Sequence, residues 1–478
     1  MTMPAPPARR EGLWIEWTFA LITLGSVIYT LWFLNHNNYL PQPYFYEPND
    51  IFADWFNTAY WARDKGTYDV WTALYPPASF VFLRLLGVDR CYVVNRFTDT
   101  SLGYDARDCD WLGLGSIFAL YVIDVALIYI TFRKRDKVTA LPRTICLGLG
   151  WALLDGVERG NLVLAAFLFL MLAVGPLLRS SAARAGFAGL AINFKIYLIA
   201  AFVPLLLQRK WRRFEGIAIA TVLIYLVSYA ILGRGSIFEI IRNVSSWGSA
   251  ASGDPLDLWT ATSYAPWLAL LNGGSFPTLL LLGSRLTETL AFWIPLLLNT
   301  VRAMIVFAAF LSWLRPEAVP TTRVINLGLM MALITSDSGG YTPVYFTYLV
   351  FMEPWKHWEQ KVALLICMLM GPSLDIPLER VMTVVRDTYV RHSTTVVDFH
   401  ISVWPLIRPF VILMVAAMIS LRTIRQVLAD IDKDGWAQRW RFRDDVAFVP
   451  WALSPRALLQ RRKTLPAPPA TGERLGGE

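Results

Sequence analysis

Long apolar runs alternate with short basic clusters along most of the chain. Stretches at 13–34, 112–132, 142–157, 161–178, 216–233, 288–312, 324–336, 341–353, 361–373 and 401–421 carry few charges and read as membrane helices. Several are shorter than the roughly 20 residues that a lone span needs. Polar flanks must extend them, or the bundle must enclose them. "RKRDK" (133–137), "RSSAAR" (179–184), "QRKWRR" (208–213), "PWKHWEQK" (354–361) and "RTIRQ" (422–426) mark the cytoplasmic side by the positive-inside rule.

Residues 185–207 break the alternation, because a single span's length of apolar sequence lies between two basic clusters. Either two short helices dip in and return, broken near Asn193–Lys195, or one basic cluster is external. The broken pair is favoured, since irregular backbone at membrane depth is tolerated where it lines a polar cavity. The expectation is an all-α polytopic bundle of about eleven or twelve helices, counted by span length. Three long outer loops follow, at 35–111, 234–287 and 374–400, with an interfacial helix at 76–87. Residues 1–421 then form the membrane domain, and 422–478 a basic, Pro-rich cytoplasmic tail.

Composition sharpens the class. Hydrophobic residues make up 55% of the chain and charged ones only 17%, against about 25% charged in soluble domains. The net charge of +8 sits in the short clusters, so it marks topology and not a nucleic-acid surface. No RNA-binding motif or zinc-ligand spacing is present. The run 13–34 is longer than a signal-peptide core and lacks a small-residue cleavage site, so it reads as an uncleaved anchor after Arg9 and Arg10. Cys146 and Cys367 lie in apolar segments. Cys91 and Cys109 share one outer loop, where they either pair or stay as two thiols.

The stretch "YFYEPNDIFADWFNTAYWARDKG" (44–66) mixes acids with rings at a membrane surface. Pro48, Asn49 and Asp50 look like a helix start, and Lys65–Gly66 like its end. Asp50 and Asp54 then share one face. Asp50 has a structural use, capping the first turn. Asp54, past the cap beside Trp55, Phe56 and Tyr60, has little reason to be there for helix stability. A carboxylate among rings suits sugar chemistry: rings stack on a pyranose, and the carboxylate accepts a hydroxyl proton. Positive charge must also meet a departing phosphate. Arg159 is available for that, or for an interfacial pair with Glu158; Asn161 beside it can cap the next helix. Lys195, an ammonium in an apolar stretch, needs either a phosphate or a carboxylate partner.

The same residues resemble a known family. "DIFADWFNTAYWARDKGTYDVWTALYPPASF" (50–80) is similar to the start of the GT-C fold, polyprenyl-phosphate-mannose-dependent mannosyltransferases of the alpha-1,2-mannosyltransferase type. The matching elements are Asp54, Tyr60–Ala62, Gly66–Tyr68 and Tyr75–Pro76–Pro77. "ERGNLVL" (158–164) resembles the family's Arg-Gly-Asn step, and "AINFKIYLIAAFVPLLLQRKWR" (191–212) its Lys-x-Tyr segment. The resemblance covers residues 13–235 and fades in the last third. It implies transfer of a hexose, mannose favoured, from a polyprenyl-phosphate-linked sugar donor to a glycolipid or glycan acceptor. The site would face outward from the bacterial cytoplasmic membrane, among its lipids. Asp54 would be the catalytic base, with Asp50 second. Trp55, Tyr60, Tyr75, Arg159, Asn161, Lys195 and Tyr197 would contact substrate.

Later loops add less. "SSWGSAASGDPLDLWTATSYAPW" (245–267) offers Asp254, Asp257 and Trp259 for a lid, and "TSDSGGYTP" (335–343) offers Asp337 as a cavity residue or a turn residue. His392 and His400 have no metal spacing. No cofactor is expected, although some GT-C enzymes bind a divalent cation. A transporter or flippase of lipid-linked saccharides, and a non-catalytic subunit of an envelope-glycan complex, are the competing readings.

Overall fold

The protein's structure is a computed structural model, describing residues 12–44, 47–92, 103–249, 262–264, 267–268, 278–335 and 339–435. The described residues are mostly helical. The first half carries α1 (Leu13–Asn37), α2 (Ala53–Arg63), α3 (Pro77–Leu85), α4 (Trp111–Arg135), α5 (Ala140–Gly148), α6 (Trp151–Glu158), α7 (Val163–Val174) and α8 (Ser181–Phe194). Short α9 (Ile199–Phe202) and α10 (Pro204–Leu207) precede α11 (Trp211–Leu232) and α12 (Ile237–Ser249). Then come α13 (Thr278–Leu314), α14 (Thr321–Leu333), α15 (Pro343–Phe351) and α16 (Trp358–Leu369). Strands β1 (Pro377–Thr388) and β2 (Ser393–Ser402) form a hairpin before α17 (Val403–Asp434).

Among the described residues, α1, α4, α11, the Gly283–Leu314 part of α13, and α17 are long and apolar enough to cross a membrane. They mark a membrane protein. Their exposed rows are apolar, as in Leu21, Ile28, Leu31 and Trp32 of α1 or Val222, Leu223, Leu226 and Val227 of α11. Such rows suit lipid. By contrast α7, apolar on every side, is largely buried. Its 12 residues reach about 18 Å at 1.5 Å per residue, so it is an enclosed piece of the bundle.

The expected break at Asn193–Lys195 is present. Helix α8 ends at Phe194, Lys195 is extended, and a 3₁₀ turn over Ile196–Leu198 leads into α9. Asn193 ties the break to α8 and α11, donating from Nδ2 to the carbonyls of Gly189 at 2.9 Å and Thr221 at 3.0 Å. The Asn193 carbonyl at the break accepts from the Ser79 hydroxyl of α3 at 3.3 Å, so this interrupted backbone group is paired at depth.

In the segment 35–111 the expectation of one helix from Pro48 to Lys65 is corrected. A 3₁₀ turn covers Pro48–Asp50, Phe52 takes a left-handed conformation (φ 62°), and α2 starts only at Ala53. The cause is a competing acceptor. Phe52 N–H donates to the Glu158 carbonyl at 2.7 Å, and Asp54 N–H to the Arg159 carbonyl at 3.0 Å. Amides used by the end of α6 cannot continue a helix from Pro48. Asp54 thus lies in the first turn of α2 and not in mid-helix. Helix α3, expected at the interface, packs on α2, α8 and α11 with Phe80 and Leu83 fully buried.

Asp110 organises the rest of that segment. Its carboxylate caps α4 by accepting from Gly113 N–H (2.9 Å), and also holds Val88 N–H (3.1 Å) and the Tyr92 hydroxyl (2.6 Å). Cys91 and Cys109 are joined as a disulfide with their Cα atoms 5.6 Å apart. The segment 374–400, expected as a loop, is instead mostly the antiparallel hairpin, with Val385 opposite Val396 and Val384 opposite Val397. Its runs of Thr and Val are what a strand prefers. It is tied to the chain after α1 through Thr395 to the Asn37 carbonyl (2.9 Å), Gln42 to the His400 carbonyl (2.8 Å) and Arg386 to Glu47 (3.1 Å).

At the opposite end, buried ion pairs tie the helices together: Arg143 with Glu16 at 2.7 Å and Arg323 with Glu353 at 2.6 Å. The basic clusters read as cytoplasmic at 354–361 and 422–426 meet there, Arg425 pairing with Glu359 at 2.9 Å. Helix α17 continues through 422 to Asp434, and the remaining tail lies outside the described residues.

Candidate functional site

The polar site forms where the turn after α6 meets the start of α2. The two amide bonds from Phe52 and Asp54 to the carbonyls of Glu158 and Arg159 fix that meeting. Arg159 then reaches both candidate acids. Its Nη1 lies 2.9 Å from Asp50 Oδ2, and its Nη2 2.8 Å from Asp54 Oδ1. Glu158, the alternative partner, is buried, and its carboxyl oxygens accept no hydrogen bond among the described residues. Sequence spacing placed Asp50 and Asp54 together by helical periodicity. The structure brings them together through one guanidinium instead.

Asn161 completes the clamp on Asp54. Its Nδ2 donates to Asp54 Oδ2 at 2.5 Å, while its Oδ1 accepts from Val163 N–H at 2.9 Å and starts α7. The bond falls one residue ahead of the α7 N-cap, Leu162, which has no side-chain cap of its own. Beyond Asn161 stands Tyr75, whose hydroxyl meets Lys195 Nζ at 3.2 Å. Lys195 also lies 4.7 Å from the Tyr75 ring centre and 5.1 Å from that of Tyr341. It forms no ion pair among the described residues, although it is 7% exposed. A buried ammonium between two rings gains cation–π attraction, yet keeps donors for an anion.

Two residues that the sequence reading passed over support Asp50. The Tyr104 hydroxyl donates to Asp50 Oδ1. Arg107 donates to the carbonyls of Asn49 (2.5 Å) and Ile51 (2.9 Å), with its guanidinium stacked 4.3 Å from the Tyr389 ring of the hairpin. Arg107 therefore shapes the 3₁₀ turn that presents Asp50. Burial, then the hydrogen bond and charge of Asp50, push the Tyr104 hydroxyl up to about 12. Burial by itself disfavours charge on Arg159, but Asp54, Glu158 and Asp50 outweigh it and hold its pKa well above the usual value. Burial also raises Glu158 well above the usual carboxylate range, and raises Tyr75 with help from the Asp54 charge.

A further acid, Asp155, sits one turn before Arg159 on α6, fully buried, with neither oxygen hydrogen-bonded among the described residues. An acid four positions before an arginine in an apolar run is the signal that marks it. Trp55 is fully buried against Phe82 and Tyr60 packs edge-on to Trp71, so neither ring lines the clamp. Tyr197 is half-buried and stands beside Tyr345, 6.2 Å between ring centres. Trp259 and Asp337, with Asp254 and Asp257, lie outside the described residues. Among the described residues no three His, Cys, Asp or Glu side chains sit at metal-binding spacing. Asp50 and Asp54 both serve Arg159.

Compared with family models, with curated proteins and with solved structures, the chain matches none.

Proposed function

We propose that the protein is an integral membrane glycosyltransferase that takes a hexose, mannose by preference, from a polyprenyl-phosphate carrier. The observation that carries this reading is the clamp: a carboxylate held by Arg159 and Asn161, beside a buried ammonium with donors to spare. A carboxylate has about four acceptor positions. Asp54 uses two on its clamp and keeps others for an acceptor hydroxyl. In the proposed reaction that hydroxyl oxygen attacks the anomeric carbon, and Asp54 takes its proton. The bond from the anomeric carbon to the phosphate oxygen breaks, and its electron pair leaves with the phosphate toward Lys195 and Arg159. One displacement inverts the anomeric centre. Asp50, already committed to Tyr104 and Arg159, balances the guanidinium rather than acting as a second nucleophile.

In this reading the chain is a GT-C-like bundle of about eleven or twelve spans, the short enclosed helices included. It sits in the bacterial cytoplasmic membrane with the clamp on the outer face, and its partners are the lipid donor and a glycolipid or glycan acceptor. Asp50 and Asp54 both face Arg159, so the guanidinium supplies the positive charge beside them and no step is routed through a divalent cation. A flippase for lipid-linked saccharides is the second reading, favoured by the chain break at Lys195. Purified protein incubated with a panel of polyprenyl-phosphate sugars and acceptors separates the two. Lipid phosphate released by the wild type and lost in Asp54→Asn supports transfer. Release undiminished in that variant overturns the role of Asp54, and flux without a new glycosidic bond favours the flippase.

A further inference from the structure

One acid deep in the bundle takes no part in the clamp. Asp124 lies near the middle of α4, a span of 25 residues, and its side chain is fully buried. Neither of its oxygens has a hydrogen-bond partner among the described residues. Its neighbours on the buried stripe of α4 include Ile117, Ile128 and Phe132, so packing there calls for an apolar side chain. An unpaired carboxylate at membrane depth is costly. Acids kept there serve ion or proton movement more often than stability.

The helices against α4 do not neutralise it. Helix α7 carries no ionisable side chain. Helix α5 brings Cys146 and Arg143, and Arg143 is held by Glu16. Helix α6 brings only more acids, Asp155 and Glu158. From α15, the fully buried Tyr345 lies within reach of the Asp124 charge, and its hydroxyl meets that of Tyr197.

From Tyr345, polar groups continue toward the clamp. Its hydroxyl adjoins that of Tyr197. Tyr341, in the field of Tyr197, Tyr75 and Asp54, stands against Lys195. In the other direction, Thr131 follows Asp124 on the buried stripe of α4. The Tyr348 hydroxyl lies beside Gly175, whose carbonyl accepts from Arg184 at 2.6 Å. Buried hydroxyls thus stand on both sides of Asp124.

We propose that Asp124 is a proton-binding site at mid-membrane, reached from the Asp54–Lys195 clamp through the hydroxyls of Tyr341, Tyr197 and Tyr345. In each step one hydroxyl oxygen accepts a proton and releases its own to the next, so no charge is stranded between stations. The carboxyl of Asp124 is the station that keeps the proton, because its charged form has no partner. This stands whether or not Asp54 takes a proton from a sugar acceptor.

Infrared difference spectroscopy on the purified protein in lipid tests it. Near pH 8, where an ordinary carboxyl is fully ionised, the wild type shows the C=O band of a protonated acid. The difference against Asp124→Asn isolates that band from those of Asp155 and Glu158; Asp124→Leu gives the same loss with an apolar filling. On transfer to D2O the band shifts, and Tyr345→Phe slows that exchange by about tenfold or more, while Tyr348→Phe leaves it unchanged. A band that survives in both Asp124 variants, or is absent from the wild type, overturns the site. Exchange equally fast in Tyr345→Phe, or slowed only in Tyr348→Phe, overturns the path.

Discussion

Replacing Arg159 with methionine keeps most of the side-chain volume and removes the charge between Asp50 and Asp54. The two ion pairs lost are 2.9 and 2.8 Å long, with side chains 16% exposed for Arg159, 21% for Asp50 and 24% for Asp54. A hydrogen bond to a charged group contributes about 1.5–3 kcal/mol. Partial solvent screening reduces that to about 1–2 kcal/mol for each of these pairs. The variant should therefore lose about 2–4 kcal/mol, lowering the melting temperature by roughly 2–6 °C in a protein of this size. Part of the loss is repulsion between two carboxylates left facing each other, which makes the effect non-additive. Asp50→Asn in the Arg159→Met background should recover about 1 kcal/mol or more of coupling. Thermal unfolding of the four members of that cycle, followed by tryptophan fluorescence in one detergent, is the assay. A melting temperature unchanged in Arg159→Met, or strictly additive losses, would mean that the guanidinium does not hold the two acids together.

Glu158→Gln should leave stability unchanged below the ordinary carboxyl range, about pH 4.3, and stabilise the protein increasingly as pH rises. The raised pKa of the buried acid means that the wild type loses stability from there up to its own folded pKa, so melts at acid and neutral pH should diverge. Gly340→Ala would place a Cβ 2.6 Å from Asp155 Oδ2 and 2.8 Å from Trp151 Cζ2. Overpacking of that kind costs about 1–3 kcal/mol, read as a lower melting temperature. Breaking the Cys91–Cys109 link, which closes a separation of 18 residues, should cost about 3 kcal/mol and expose the segment to limited proteolysis. Lys195→Met should hold or raise the melting temperature, because a buried charge without an ion pair is removed, yet weaken binding of a lipid-phosphate sugar in a titration.

The Asp54 clamp shows how far local sequence carries. The acid, the Arg-Gly-Asn step and the lysine were each visible as polar residues in apolar surroundings, where their cost demands a reason. Their assembly was not visible. Periodicity set Asp50 and Asp54 on one helix, but the carbonyls of Glu158 and Arg159 drew two amides away and broke that helix at Phe52. Local propensity cannot register an acceptor more than 100 positions later. The same limit hid Tyr104, Arg107 and Tyr341, ordinary residues in their own neighbourhoods that matter only for what they touch. Trp55 and Tyr60 erred in the other direction: rings near an acid in sequence packed into the core instead.

The sequence alone marked the long apolar helices that can cross a membrane. Apolar length and clustered basic charge decide membrane against water, because that free energy is summed residue by residue along the chain. The break at Asn193–Lys195 was legible for the same reason, as polar groups interrupting an apolar run. Tertiary structure alone decided which charges meet: Arg159 with two acids, Lys195 with two rings, Asp124 with no partner among the described residues. Electrostatic pairing acts over a few ångströms in space, and only the folded bundle sets those distances.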